Sequence, residues 1–251
     1  MVSSGNLPMA ESRPVPEPTP ENQIPDWINN YAQAAKNAIA AGFNRVEIHG
    51  ANGYLCDQFL QDTANNRTDR WGGSVENRSR FGLEVAQAVA NAIGAERTGY
   101  WISPWSTFQG MRMKSLHEQF SHFVQGLSEL NLAFLDIVEP RISGGTTIEA
   151  ADEDNAFLLD AFGNSGFIIL AGDFTGPSAD EKIKSHPNHR IAIAFGRHFL
   201  ANPDLPFRLS KSLHLNLYHR PTFYTPKSPV GYLDYPFSPQ FLSTGGAEAS
   251  G

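Results

Sequence analysis

Residues 99–138 read GYWISPWSTFQGMRMKSLHEQFSHFVQGLSELNLAFLDIV, and their pattern decides the fold. Residues 99–103 are a short apolar run closed by Pro104, the signature of a buried strand. Ser115, followed three residues later by Glu118, makes a capping box. Leu116, Phe120, Phe123 and Leu127 then recur at the spacing of a helix face. Residues 133–138 are a second apolar strand. Strand, helix and strand in this order form a βαβ unit, with parallel strands and a helix laid over the sheet.

The same alternation extends outward. A helix with Trp27, Tyr31, Ala35 and Ile39 on one face ends at Gly42 and leads into a strand at residues 45–48. Ser74 caps another helix, with Phe81, Val85, Val89 and Ile93 inward and Gly94 as its stop. Residues 167–171 and 191–195 are two further apolar strands, accompanied by helices at residues 155–162 and from Pro177. The strands read as apolar on both faces, as strands covered by helices do. No G-x-G-x-x-G opens a helix, so the dinucleotide-binding fingerprint of a Rossmann sheet is absent. Polar and glycine residues gather instead after the strand ends (His49 to Asn52, Ser103, Gly172, Gly196), where a (β/α) barrel places its active site. The fold class is therefore α/β, a partial TIM-type barrel with five strand–helix units legible out of about eight. Residues 1–24 carry Pro14, Pro16, Pro18 and Pro20 in alternation and are expected to be an extended arm or linker. Residues 25–212 hold the barrel part, and 213–251, rich in Pro, Tyr and Phe, are a tail expected to wrap its outside.

With 251 residues, 41% of them hydrophobic and 18% charged, the composition is that of an ordinary globular protein. A formal charge of −7 without a long basic run argues against nucleic acid or an anionic membrane as a partner. The single cysteine, Cys56, excludes an internal disulfide framework and suits a reducing compartment. No apolar signal core opens the chain and no stretch approaches a membrane span, so a cytoplasmic protein is expected. No metal-ligand spacing is read from the sequence.

The chemistry concentrates in Ile48-His49-Gly50-Ala51-Asn52-Gly53-Tyr54. His49 ends a strand, and Gly50 and Gly53 bracket a turn that brings Asn52 back beside it. An imidazole N–H and a carboxamide N–H then grip one carbonyl oxygen and stabilise negative charge developing there, as an oxyanion hole does. Tyr54 lies two residues on, and its phenolic O–H is able to donate. A polarised carbonyl beside a proton donor is machinery for adding to, or isomerising, an activated C=C bond. A packed histidine and tyrosine at a strand end would give the same letters, since short motifs have many false matches.

The segment VEIHGANGYLCDQFLQ, followed by NNRTDRWGGSVENRSRF, resembles the most distinctive part of the old yellow enzyme family, the flavin-dependent ene-reductases. The resemblance continues through ISPWSTFQGM, LDIVEPRISG, LAGDF, IAFGRHFLANPDLPFRL and FYTPKSPVGYLDYPF, from Asp26 to about Phe237, and is nearest to fungal members of secondary metabolism. It implies FMN across a barrel mouth, reduced by NADPH, and a small enone or enal as substrate. Carried over, His49 and Asn52 hold the carbonyl oxygen and Tyr54 protonates the α-carbon. Gly172 with Asp173, and Gly196 with Arg197, match the loops around the FMN phosphate, and Tyr224 matches an aromatic position near the substrate. Arg67, Asp69 and the Gly72-Gly73 pair are expected to fix the long loop after the His49 strand.

Three departures stand beside the resemblance. Trp101 occupies the place where the family usually carries an arginine facing the flavin; losing such a preorganised charge costs about 3 kcal/mol. Asp173 stands where asparagine is common, and a carboxylate near a phosphate is repulsive unless Arg197 offsets it. The family's first three strands have no counterpart, leaving two strand edges and an apolar interior uncovered. A stable form is therefore expected to need an oligomer, a partner chain completing the barrel, or a rearranged N-terminal arm. Besides an ene-reductase, the sequence admits a flavin-independent isomerase or cyclase using the same three residues, or a non-catalytic remnant.

Overall fold

The computed structural model describes residues 2–149 and 153–245. They fall into two compact units: one holds the chain up to Asp173 together with Ile183–Ile193, the other Phe174–Lys182 and the chain from Ala194 on. The first is built on a five-stranded sheet of β1 (Val46–Gly50), β2 (Thr98–Ile102), β3 (Phe134–Val138), β4 (Phe167–Ala171) and β5 (Ile191–Ala194). Their spatial order is their order in the chain, with β1 and β5 at the edges, and β1 to β4 pair in parallel. A doubly wound sheet reverses its strand order part-way across, whereas this one advances in a single sense, as the wall of a barrel does. The five strands expected from the sequence are those present, so the partial-barrel reading stands.

The expectation of two apolar faces needs correction. Parallel register aligns Ile48, Tyr100, Leu135 and Ile168 in one row, and Ile102, Ile137 and Leu170 continue that face. All seven are buried under helices: Tyr100 packs edge-on against Phe123 of the helix that follows β2. The opposite row, His49, Trp101, Asp136 and Ile169, is only half-buried. Strand side chains alternate sides, so β1 to β3 set an apolar face against a row bearing His49, Trp101 and Asp136, while β4 (Phe167–Ala171) and β5 (Ile191–Ala194) are apolar on both sides as expected.

The helices pack on the apolar side. In α1 (Ile24–Ala40) the buried stripe is Ile24, Ile28 and Ala35, with Trp27, Tyr31 and Ile39 half-buried, a stripe rotated slightly from the expected face. A short helix, α2 (Leu55–Leu60), follows the HGANGY loop. In α3 (Val75–Ile93) the Ser74 hydroxyl accepts from the Asn77 N–H at 3.3 Å, and Gly94 ends the helix at φ 97°. Its Phe81, Val85 and Val89 are buried as expected, while Ile93 is half-buried. Phe81 stacks on Phe59 of α2 at 4.1 Å. In α4 (Leu116–Glu129) the four expected inward residues are buried, but the capping box does not form. Ser115 has ψ 39° and no capping bond, because an N-cap needs an extended backbone. The remaining helix of the unit's core is α5 (Ala156–Phe162).

The arm is a second correction. Val2–Ser3 pairs in parallel with Glu17–Pro18, and Ser3, Ser4 and Thr19 are buried. Arg67 donates to the carbonyls of Ser4 (3.0 Å) and Thr19 (2.7 Å) while paired with Asp69 at 2.5 Å. A linker is thus pinned by one guanidinium whose five donors suit several oxygens at once. A Cβ on Gly72 would lie 2.7 Å from the Arg67 carbonyl, so this loop needs glycine for close approach.

After α6 (Gly176–Ser185), the second unit has α7 (Arg197–Ala201), α8 (Leu205–Ser210) and α9 (Pro239–Leu242). The buried Asp204 carboxylate accepts from Arg208 at 2.7 Å and from the Ser238 hydroxyl at 2.6 Å, and Arg208 reaches the His214 and Pro236 carbonyls. These bonds join the chain beyond residue 213 to α8 within the second unit. Truncating Phe81, which is wholly buried, is expected to cost about 3–5 kcal/mol. Urea unfolding of Phe81→Ala checks this; a loss below ~1 kcal/mol would contradict the packing described.

Candidate active site

The open row of the sheet carries the chemistry. His49, the penultimate residue of β1, is held between two rings: Trp101 stacks on it at 4.6 Å and 22°, and Tyr54 lies at 4.8 Å and 42°. The first contact follows from register, since His49 and Trp101 are direct partners. Burial holds the imidazole's pKa below its ordinary value, so the ring is neutral at pH 7 and has one N–H to donate. Tyr54 precedes α2 and is 52% exposed, open to an incoming molecule.

Asn52 has an unusual backbone. It has φ 55° and Gly53 φ 72°, two consecutive left-handed residues, and the Tyr54 N–H closes the turn on the Ala51 carbonyl at 3.2 Å. His49, Asn52 and Tyr54 thus lie on one stretch of chain at the end of β1, with the His49 and Tyr54 rings in contact. Gly50 is required here for space: a Cβ would lie 2.3 Å from the Tyr100 ring.

Four buried polar atoms in this region have no partner: His49 Nδ1, Asn52 Oδ1, Trp101 Nε1 and Asp136 Oδ1. Buried polar groups are ordinarily satisfied, and a cluster of unsatisfied ones on an open row is what a ligand site leaves. Burial pushes the Asp136 carboxyl up to about 7, with the nearby Glu47 charge adding to the effect. Sequence reading missed Asp136 and Glu47 because only register places them on the face of His49.

The expected phosphate residues divide between the units. Gly172 and Asp173 close the first, at the end of β4. The Gly172 carbonyl accepts from Arg141 Nε at 2.6 Å, and a Cβ there would lie 2.7 Å from Glu139 Cβ. The Asp173 carboxylate accepts from the Thr147 hydroxyl at 3.2 Å. In the second unit, Gly196 precedes α7 with open space where a Cβ would stand, and the Arg197 guanidinium lies over the Tyr218 ring at 5.9 Å. Tyr224, the expected substrate-side aromatic, is 89% exposed.

Comparison with known proteins decides the family. Residues 11–216 match the model described as NADH:flavin oxidoreductase / NADH oxidase family. The chain belongs to that family. Among curated members of the family, it is 48% identical over 242 residues to a chanoclavine-I aldehyde reductase of Penicillium roqueforti, covering 96% of this chain and 65% of the relative. It is 46% identical over 256 residues to a probable inactive dehydrogenase of Claviceps fusiformis, again covering 96% and 65%. Among solved structures, the old yellow enzyme homologue of Zymomonas mobilis superposes with a TM-score of 0.85 at 32% identity, covering 94% of this chain and 67% of that one. The chain thus spans slightly under two thirds of the curated relatives' length. The old yellow enzyme resemblance drawn from the motifs holds.

The family's flavin can be tested against the residues present. Trp101 Nε1 is an unpartnered donor and Asp136 Oδ1 an unpartnered acceptor. A flavin ring bears both carbonyl and N–H groups at its edge, and on that ground these residues fit it. Asp136 also sets a stability profile. Its folded value lies above an ordinary carboxyl's value of about 4, so the folded chain keeps a proton that the unfolded chain releases. The stability this supplies is full below about pH 4 and is lost as pH rises toward about 7. Asp136→Asn is expected to flatten that decline and to leave the protein more stable than its parent at pH 8. Asp57, also pushed up to about 7 by burial, keeps a residual slope. Urea midpoints from pH 4 to pH 8 provide the measurement, and a slope unchanged by the substitution would count against the assignment.

Proposed function

We propose that this chain is the clamp-bearing part of an FMN- and NADPH-dependent ene-reductase acting on the activated C=C bond of an α,β-unsaturated carbonyl compound. The observation that carries this reading is the neutral His49 in ring contact with Trp101 and Tyr54, with Asn52 held in a left-handed turn of the same loop. An enal is the favoured substrate class, supported by the aldehyde in the name of the 48%-identical relative.

When bound, a flavin would supply hydride-transfer chemistry, with NADPH as the reductant. The chain's own residues do the rest. The His49 and Asn52 N–H groups donate to the carbonyl oxygen and stabilise negative charge as it develops there. That polarisation drains electron density from the β-carbon, where the hydride arrives. Tyr54 passes its phenolic proton to the α-carbon, and its exposure lets water restore that proton. Gly172, Asp173, Gly196 and Arg197 are proposed to hold the phosphate end, a role suited to backbone N–H groups and a guanidinium. Tyr224 is proposed to meet the substrate.

Completion of the barrel by a partner chain or a second copy belongs to the same reading. It is supported by β1 and β5 standing at the sheet's edges among the described residues. A cytoplasmic location is proposed with it, on the single buried cysteine. No described helix is long and apolar enough to cross a membrane. A second reading, an acid–base isomerase or cyclase that needs no flavin, is favoured by one observation: the Trp101 indole already covers one face of His49.

Tyr54→Phe is expected to lower NADPH-driven reduction of a simple enal by about 100-fold or more, with the flavin absorbance of the purified protein unchanged. Equal turnover in parent and variant would sink the ene-reductase reading. Colourless protein that rearranges the enal without consuming NADPH would establish the second.

A further inference from the structure

The Asn52–Gly53 turn has all four of its backbone polar groups bound by side chains. The Asn52 N–H donates to Ser103 Oγ (2.7 Å), and the Asn52 carbonyl accepts from Gln109 Nε2 (2.7 Å). The Gly53 N–H donates to Asp57 Oδ2 (2.8 Å), and the Gly53 carbonyl accepts from Gln58 Nε2 (2.8 Å). Left-handed backbone at a non-glycine residue persists when its surroundings over-determine it, and these four side chains do so. Ser103 follows β2, Gln109 belongs to the loop beyond, and Asp57 and Gln58 lie in α2.

Among them, Asp57 alone is both fully buried and ionisable. Its second oxygen accepts from Gln61 Nε2 at 2.6 Å. Gln61, also fully buried, cannot turn its amide round, because its Oε1 accepts the N–H groups of both Arg112 (2.7 Å) and Met113 (3.0 Å). Both oxygens of Asp57 therefore face donors, and the site requires a group that accepts on both sides. A carboxylate does; a carboxamide would set an N–H against an N–H.

We propose that Asp57 is the positioning residue of the oxygen clamp: through the Gly53 N–H it holds the turn that carries the Asn52 carboxamide and the Tyr54 phenol beside His49. It touches no substrate and acts through the loop, and its second oxygen ties that loop to the segment at residues 112–113. Burial outweighs the two N–H donors and lifts this carboxyl to about 7, so the doubly accepting carboxylate form is complete above that pH. Its role as a clamp support rests on the ene-reductase reading; its hold on the turn does not.

The donor–acceptor argument yields a swap. In Asp57→Asn the new amide opposes the Gln61 amide, and the Gly53 bond is strained or lost. In Asp57→Asn combined with Gln61→Glu the pattern is restored: the asparagine oxygen faces Gly53 and its N–H faces a carboxylate, whose other oxygen takes Arg112 and Met113. On the full chain labelled with ¹⁵N, Asp57→Asn is expected to speed exchange of the Gly53 amide by about tenfold or more, the scale of one charged hydrogen bond. It is also expected to weaken the contact between the His49 and Tyr54 rings seen by nuclear Overhauser effect, with α3 amides unaffected. The double variant is expected to recover both. Titration with 2-cyclohexenone, read at the Asn52 side-chain amide, should show about tenfold weaker binding in the single variant and recovery in the double.

Unchanged Gly53 exchange in Asp57→Asn overturns the proposal, and so does a double variant as impaired as the single. If Asp57→Asn does not fold, the double variant decides: a folded protein with Gly53 protected supports the proposal, and failure to fold overturns it. Parent protein that ignores cyclohexenone overturns the substrate reading instead, while the exchange measurements still decide what Asp57 does.

Discussion

Parallel register between β1, β2 and β3 is the constraint on which the remaining features depend. Direct pairing of His49 with Trp101, and of Trp101 with Asp136, makes one row from residues far apart in sequence. The next row, Ile48, Tyr100 and Leu135, is the one the helices bury. A slip of one residue in any strand would exchange the faces, sending an imidazole or a carboxylate into the packing around Phe81 and Phe123. The hydrophobic demand of α3 and α4 therefore holds the polar row in place, and the core and the site are two sides of one alternation.

What distinguishes the polar row is incomplete satisfaction. Elsewhere in the first unit many polar side chains are closely paired: Gln119 donates to Ser79 and to the Val75 carbonyl, and Asn65 spans the Phe59 and Trp71 carbonyls, although Thr63 Oγ1 and Trp71 Nε1 are buried without partners. Along the row, three consecutive partners, His49, Trp101 and Asp136, each carry an unpartnered buried polar atom, and Asn52 adds a fourth from the adjoining loop. A network left half-satisfied costs stability, so a fold that keeps one does so where something else binds. The same logic accounts for Asn52, whose backbone is over-supported while its side-chain oxygen is left free of partners.

Much of this was legible in the sequence, for a physical reason. Strands and helices are set by local periodicity, and the five strands lie within two residues of their expected places. The HGANGY loop was legible because glycine marks a backbone that other residues resist. Features that failed to show depend on distance or on backbone detail. The capping box at Ser115 and Glu118 had the right letters and the wrong ψ. The arm's prolines argued for a solvated linker, and nothing near them in sequence announces that Arg67 will bind their neighbours. Asp57 is one of 26 acidic residues, and its burial becomes visible only once α2 has folded under the loop. The mixed face of the sheet likewise needs register, which no single strand encodes.

The arm carries one more implication. Ser3 Oγ donates to Gln58 Oε1 at 2.9 Å, and Ser4 Oγ donates to the Gln58 carbonyl at 2.8 Å. The same Gln58 side chain holds the Gly53 carbonyl with its other end. A load applied at the amino terminus thus passes through two serines and one glutamine into the loop that aims Asn52. Anything joined ahead of Val2, whether a purification tag, a fluorescent reporter or a tether to a surface, pulls on the Asn52–Gly53 turn itself.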